Sequence, residues 1–236
     1  MRQLIVGDIH GCFDEFLELL DKAALASDDE IIAIGDVVDR GPESAKTLNF
    51  FRTQPHARLL LGNHERKHVR SFKGEIPPAP SQIITRHQLG VSDYPAACAF
   101  MESLPRYIQL ADALLVHAFW EPGVPLTEQR DVVIVGTLTG EQYLKDKGYW
   151  PWYEQYDGDL PLIVGHRDYS GQMKATVYKD RVYGLDSRCV YGGSLSGLLL
   201  PDFKLISVRS RGDHWNIVQR RYADLIPPAP EDEPEV

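Results

Sequence analysis

The chain has 236 residues, of which 43% are hydrophobic and 25% charged, with a formal net charge of -9. That length allows a sizeable core, and the acidic balance excludes a general nucleic-acid binder, which would carry a basic face. Three cysteines, Cys12, Cys98 and Cys189, are too few for a disulfide framework, and with neither a signal-peptide stretch nor an apolar run long enough for a bilayer a cytoplasmic protein away from the membrane is expected.

In chain order, Leu4 to Val6 is a short apolar run ending at Gly7 and reads as a buried strand. Phe13 to Leu25 repeats apolar residues at helical spacing. Ile31 to Ile34 and Leu59 to Leu61 read as two more strands, with a helix from Pro42 between them. Alternation of strand and helix predicts a largely parallel layer. From Arg66 to Ser103 the pattern loosens, and Pro77 to Pro80 would break a helix, so residues 66–103 read as a cap-like insertion.

Further strands are expected at Tyr107 to Leu110, Ala113 to Val116, Leu162 to Val164, Leu195 to Leu200 and Leu205 to Val208. Thr176 to Tyr178 and Val182 to Tyr183 read as a hairpin about Lys179–Asp180–Arg181. This second half is expected to be mainly antiparallel. Residues 1–226 then form one α/β (α+β) domain, an αββα sandwich of two sheets with helices outside. Pro227 to Val236 is an acidic, proline-rich tail that cannot order itself.

Three strand ends carry metal-type side chains: Gly7-Asp8-Ile9-His10-Gly11, Gly35-Asp36-Val37-Val38-Asp39-Arg40-Gly41 and Gly62-Asn63-His64-Glu65. In a parallel layer the carboxyl ends of strands face one crevice, where ligands gather. Val116-His117-Ala118 and Val164-Gly165-His166 end two later strands. Singly, a histidine after a strand or an aspartate before a glycine is ordinary turn chemistry. Five such ends in order converge on one spot. Imidazole, carboxylate and amide oxygen together suit manganese, iron, zinc, nickel or cobalt.

The ordered set GDIHG, GDVVDRG, GNHE, a histidine after a strand, and GH resembles the calcineurin-like metallophosphoesterases. GDVVDRG and GNHE are most similar to the phosphoprotein phosphatase branch. The stretch Leu185 to Leu195 resembles the late motif of bacterial diadenosine tetraphosphatases and polynucleotide phosphatases. The resemblance runs from about Gly7 to Gly197. It implies two divalent ions, manganese foremost. Asp8 and His10 would hold the first, Asp36 would bridge, and Asn63, His117 and His166 would complete the second. It further implies His64 as general acid, Asp39 as its orienting partner and Arg40 as the phosphate clamp. Phe119 stands where the family often has glycine and is expected to reshape the pocket wall.

The expected reaction is hydrolysis of a phosphate ester or anhydride by a metal-bridging hydroxide. The substrate is a phosphorylated small molecule, foremost a dinucleoside polyphosphate, or a phosphoprotein; an RNA end phosphate is the third option. Arg167, next to His166, is a second candidate phosphate clamp beside Arg40 and Asn63. Arg66, Lys67, His68, Arg70 and Lys73 make a basic cluster that either steers phosphate or is a solvated helix face; Arg86 and His87 are similar. Trp120, Trp150 and Trp152 offer a stacking face or core. Cys12, beside the first motif, reads as packing rather than a nucleophile. The oligomeric state is open.

Overall fold

The computed structural model describes residues 1–226; the expected unordered tail, 227–236, lies outside the described residues. The first sheet begins with β1 (Gln3–Val6), β2 (Glu30–Ala33) and β3 (Ala57–Leu59), all parallel. Between them run α1 (Phe13–Ala23) and α2 (Ser44–Thr53). β9 (Ser194–Leu200) returns antiparallel to β1 and pairs with β10 (Lys204–Arg209), giving the order β10-β9-β1-β2-β3. The second sheet has β4 (Tyr107–Gln109), β5 (Leu114–Val116), β6 (Leu162–Val164), β7 (Thr176–Tyr178) and β8 (Val182–Gly184) in the order β4-β5-β6-β8-β7.

Alternation along the strands builds the layers, since successive side chains leave opposite faces. Leu4 and Val6 of β1 face α1 and α2, packing with Phe16, Leu19, Leu48 and Phe51. Ile5 faces the other way and joins Ile32, Ile34 and Leu198 against Leu115, Ile163 and Leu185 between the two sheets. On the outer side of the second sheet, Val116, Val164 and Val182 pack under Phe119, Trp120 and Trp152. Each such fully buried aliphatic side chain contributes about 2 kcal/mol. Helices α6 (Asp131–Ile134) and α7 (Leu138–Asp146) lie in that outer layer, and α8 (His214–Arg221) follows β10. The result is the expected αββα sandwich of two mixed sheets.

One expectation is corrected and one refined. The 66–103 stretch is mostly helical: α3 (Asn63–Phe72), α4 (Pro80–Leu89) and α5 (Tyr94–Glu102). Pro80 starts α4 rather than breaking a helix, because the first helical residue needs no backbone donor. The strands of the second half pair mainly antiparallel as expected, at β4–β5, β7–β8, β9–β10 and β1–β9, but the second sheet itself is mixed. Its central pairs β5–β6 and β6–β8 are parallel, because the connection from β5 to β6 is long enough to cross back over the sheet. The 176–183 hairpin forms as expected about residues 179–181, with Lys179 and Asp180 at φ 50° and 53° in a turn closed by the Arg181 N–H donating to the Tyr178 carbonyl at 2.9 Å.

Candidate metal centre and catalytic site

Each metal-type residue follows a strand whose carboxyl end opens on the same edge. Asp8 and His10 follow β1, Asp36, Asp39 and Arg40 follow β2, and Asn63 and His64 begin α3 after β3. His117 follows β5 and His166 follows β6. The backbone is strained here. His10, Asp36, Asp39, Arg40 and His166 all have φ between 46° and 72°. Such positions cost about 1–3 kcal/mol each and persist where surrounding structure over-determines them. Gly62 leaves room for this turn: a Cβ there would lie 2.3 Å from Asp36 Oδ1.

Asp36 is the hub. Its Oδ1 accepts the His64 backbone N–H at 2.9 Å. Its Oδ2 lies 3.4 Å from His117 Nε2, 3.7 Å from His10 Nε2 and 4.0 Å from His64 Nε2. Donor atoms of His10, Asp36 and His64 fall within 4.8 Å of one another, and so do those of Asp36, His117 and His166. One carboxylate therefore belongs to two ligand groups. Asn63 Oδ1 sits 3.0 Å from His117 Nε2 and 2.9 Å from His166 Nδ1. Asp8 stands outside both groups, accepting the His166 backbone N–H at 3.0 and 3.1 Å.

The donor set fits divalent ions. His10 Nδ1 donates to the Val38 carbonyl at 2.8 Å, and His117 Nδ1 to the Ile34 carbonyl at 2.7 Å. Those bonds set the tautomer and turn each Nε2 lone pair inward, the arrangement that orients metal-ligating histidines. Burial, aided by the charge of His117, holds His166 down to about 3, in the neutral form a ligand needs. Burial opposes protonation of His117, yet Asp36 and Asp8 lift it to about 10. A divalent ion on those carboxylates would compete directly with that proton.

The second half of the site is a buried dyad. His64 Nδ1 lies 2.6 Å from Asp39 Oδ2. Burial would raise the Asp39 carboxyl, but His68 and His64 outweigh it and hold it well below the usual range. Beside it Arg40 Nη1 donates to His10 Nε2 at 2.9 Å. Glu65 is a brace that sequence reasoning left without a role. It is fully buried, and its carboxylate accepts the N–H groups of Asp36, Val37 and Gly62 at 2.8, 2.9 and 3.1 Å. The N–H groups of the second motif thereby lock onto the third.

A cavity of about 220 Å³ adjoins the centre, lined by His10, Arg40, His166, Asp186, Arg188 and Tyr191 among others. Arg40 and Arg188 both lie over the Tyr191 ring, 5.7 and 4.6 Å from its centroid. Arg188 and Tyr191 were visible only as members of the late motif. Arg167 is not among the lining residues: Nη1 pairs with Glu141 at 2.6 Å and the guanidinium lies over Trp150. Phe119 is fully buried and sets its edge against the His166 ring at 5.1 Å, so it backs a candidate ligand instead of lining the cavity. Trp120 and Trp152 are core. The basic cluster is largely spent locally, Arg70 on Glu75, Lys73 on Glu102 and Arg86 over Tyr94, while His68 is buried rather than on a solvated face. Cys12 is fully buried in the helix-side core. Behind it Glu15 and His214 already bond one another at 2.7 Å.

Comparison with known proteins agrees with this geometry. The chain is similar to proteins named bis(5'-nucleosyl)-tetraphosphatase PrpE (asymmetrical): 25% identical to that of Bacillus velezensis, over 87% of this chain and 92% of that one, and 27% identical to that of Geobacillus thermodenitrificans, over 89% and 95%. Among solved structures, one described as a candidate diadenosine tetraphosphatase superposes with a TM-score of 0.67 at 27% identity, covering 89% of this chain and 93% of that one. A serine/threonine phosphatase from Saccharomyces cerevisiae shares the fold, with a TM-score of 0.57 at 16% identity over 89% and 79%. Among the described residues no helix is long and apolar enough to cross a membrane. The profile of the calcineurin-like phosphoesterases matches residues 1–194, and the chain belongs to that family: it is a metallophosphoesterase, a hydrolase whose family works with a dinuclear divalent metal site.

Proposed function

We propose that this enzyme hydrolyses dinucleoside polyphosphates such as diadenosine tetraphosphate, as a cytoplasmic enzyme with manganese as its ions. The observation that carries this reading is the pair Arg40 and Arg188, set around Tyr191 in the cavity beside His10. A single phosphomonoester needs one bidentate guanidinium; two, set over a common ring, suit a chain of phosphates. The relatives named as tetraphosphatases support the same substrate class.

In this reading Asp8 and His10 would hold one ion, Asn63, His117 and His166 would hold the other, and Asp36 would serve both. When bound, the ions supply Lewis acidity and a nucleophile of lowered pKa. The Arg40 fork donates to two phosphoryl oxygens and neutralises charge that grows in the transition state. His64, held through Nδ1 by Asp39, turns Nε2 toward the centre and donates a proton to the leaving oxygen. That donation matters most for a poor leaving group.

The test compares catalytic efficiency on diadenosine tetraphosphate and on a phosphothreonine peptide, with manganese-loaded protein under one condition. The tetraphosphate is expected to be preferred, and chelation to abolish both activities. Preference for the peptide by about a hundredfold, about 2.7 kcal/mol, would make this a protein phosphatase instead.

A further inference from the structure

Asp39 holds more than His64. Its Oδ2 takes the His64 ring, while Oδ1 accepts from His68 Nε2 at 2.9 Å and from Thr85 Oγ1 at 2.8 Å. His68 in turn meets the Tyr94 hydroxyl through Nδ1 at 3.0 Å. Asp39, His68 and Thr85 are completely buried, and His64 and Tyr94 are 3% and 5% exposed. The donors come from three helices: His64 and His68 lie one turn apart on α3, Thr85 is on α4 and Tyr94 on α5.

The chemistry explains why one donor would not suffice. A buried carboxylate has about four lone-pair sites, and an unpartnered oxygen costs about 1–3 kcal/mol. A carboxylate held at one oxygen also turns about its own axis and carries its imidazole with it. Donors on both oxygens fix the carboxylate plane, and so the direction of His64 Nε2. Orienting groups of this kind lose activity when removed although they never touch substrate. Both ring nitrogens of His68 thus have a partner, the Tyr94 hydroxyl at Nδ1 and Asp39 at Nε2.

We propose that His68, backed by Tyr94 and joined by Thr85, is a positioning residue for proton donation by His64, and that α4 and α5 buttress this dyad rather than roof the substrate. The inference rests on the reading of His64 as general acid.

Manganese-loaded full-length protein is assayed on an alkyl phosphate, a poor leaving group, and on nitrophenyl phosphate, a good one. His68→Leu is expected to lower kcat on the alkyl ester by about ten- to a hundredfold and on the aryl ester by less than about threefold, with KM and metal content unchanged. His68→Gln, whose amide also donates to Asp39, is expected to recover most of the loss. In a His64→Asn background His68→Leu should add nothing, since both act through one proton. If His68→Leu does not fold, Thr85→Val, which keeps the side-chain shape, is read the same way. Equal losses on both esters, or a loss that adds fully to that of His64→Asn, would reduce His68 to a packing residue. Should His64→Asn itself show no leaving-group dependence, the acid assignment falls first and takes this inference with it.

Discussion

Two regions flank the metal centre, and both set arginines over aromatic rings. On one side Arg40 and Arg188 lie over Tyr191. On the other, Arg167 and Lys145 lie over Trp150, and Arg130 over Tyr143. The difference is in the counter-charges. Arg167 and Lys145 share Glu141 at 2.6 Å each, and Arg130 pairs with Glu121 at 3.1 Å. Among the described residues neither Arg40 nor Arg188 pairs with a carboxylate. Asp186, which lines the same cavity, accepts the Arg188 backbone N–H at 2.8 Å and forms no ion pair with its guanidinium. A cation over a ring is common structural chemistry. An arginine left without a carboxylate beside a metal centre has charge to spend on a substrate.

Between the two regions Asp36 belongs to both candidate ligand groups, and its loss should have the largest effect. Asp36→Asn is expected to cut turnover by about a thousandfold or more, about 4 kcal/mol, and to lower metal content by elemental analysis. Two ions per chain with near-normal turnover would remove Asp36 from the role of shared ligand.

The next experiments separate the two regions. Arg40→Ala should lose on the order of 10²–10³ in kcat/KM, and Arg40→Lys should recover only part, because an ammonium lacks the fork. Arg188→Ala should cost about ten- to a hundredfold on diadenosine tetraphosphate and less than about threefold on nitrophenyl phosphate. Arg167→Ala should stay within about threefold on both, since its charge is already paired. If Arg167→Ala proves as damaging as Arg188→Ala, the contrast between the regions is false and the Trp150 wall belongs to the substrate site.

The smallest effect is expected on turnover from Glu15, well behind the first motif. Burial would raise its carboxyl, but His214 and the Arg211 backbone N–H outweigh that and hold it at about 2, against an ordinary 4.5. A depressed carboxyl gives stability that is fully present above the ordinary value and is lost as pH falls toward 2. Glu15→Gln should therefore lower Tm at pH 7, by an amount worth on the order of 3 kcal/mol at most. The gap from the parent protein should close between pH 4.5 and 2, with kcat little changed. A gap that stays constant over that range would mean that packing alone holds Glu15.

Much of the centre was legible before any coordinates. The strand-end motifs point to a metal site, because glycine-flanked acidic and histidine motifs after short apolar runs are local patterns, and the family resemblance picks Asp8, His10, Asp36, Asn63, His117 and His166 out of them as expected ligands. The sandwich followed from the same runs. Strand direction in the second sheet did not, since a three-residue run such as Leu162–Val164 pairs equally well either way and only the crossover decides. Nor did the helices of 66–103, whose buried faces are set by contact with the Asp39 dyad more than by their own periodicity. His68 looked like one member of a basic run, and Arg167 looked closer to the chemistry than Arg188. Only the tertiary structure chose between them, because a side chain's charge is spent or kept by partners distant in sequence: Glu141 answers Arg167, Asp39 takes His68, and among the described residues no carboxylate forms an ion pair with the guanidinium of Arg188.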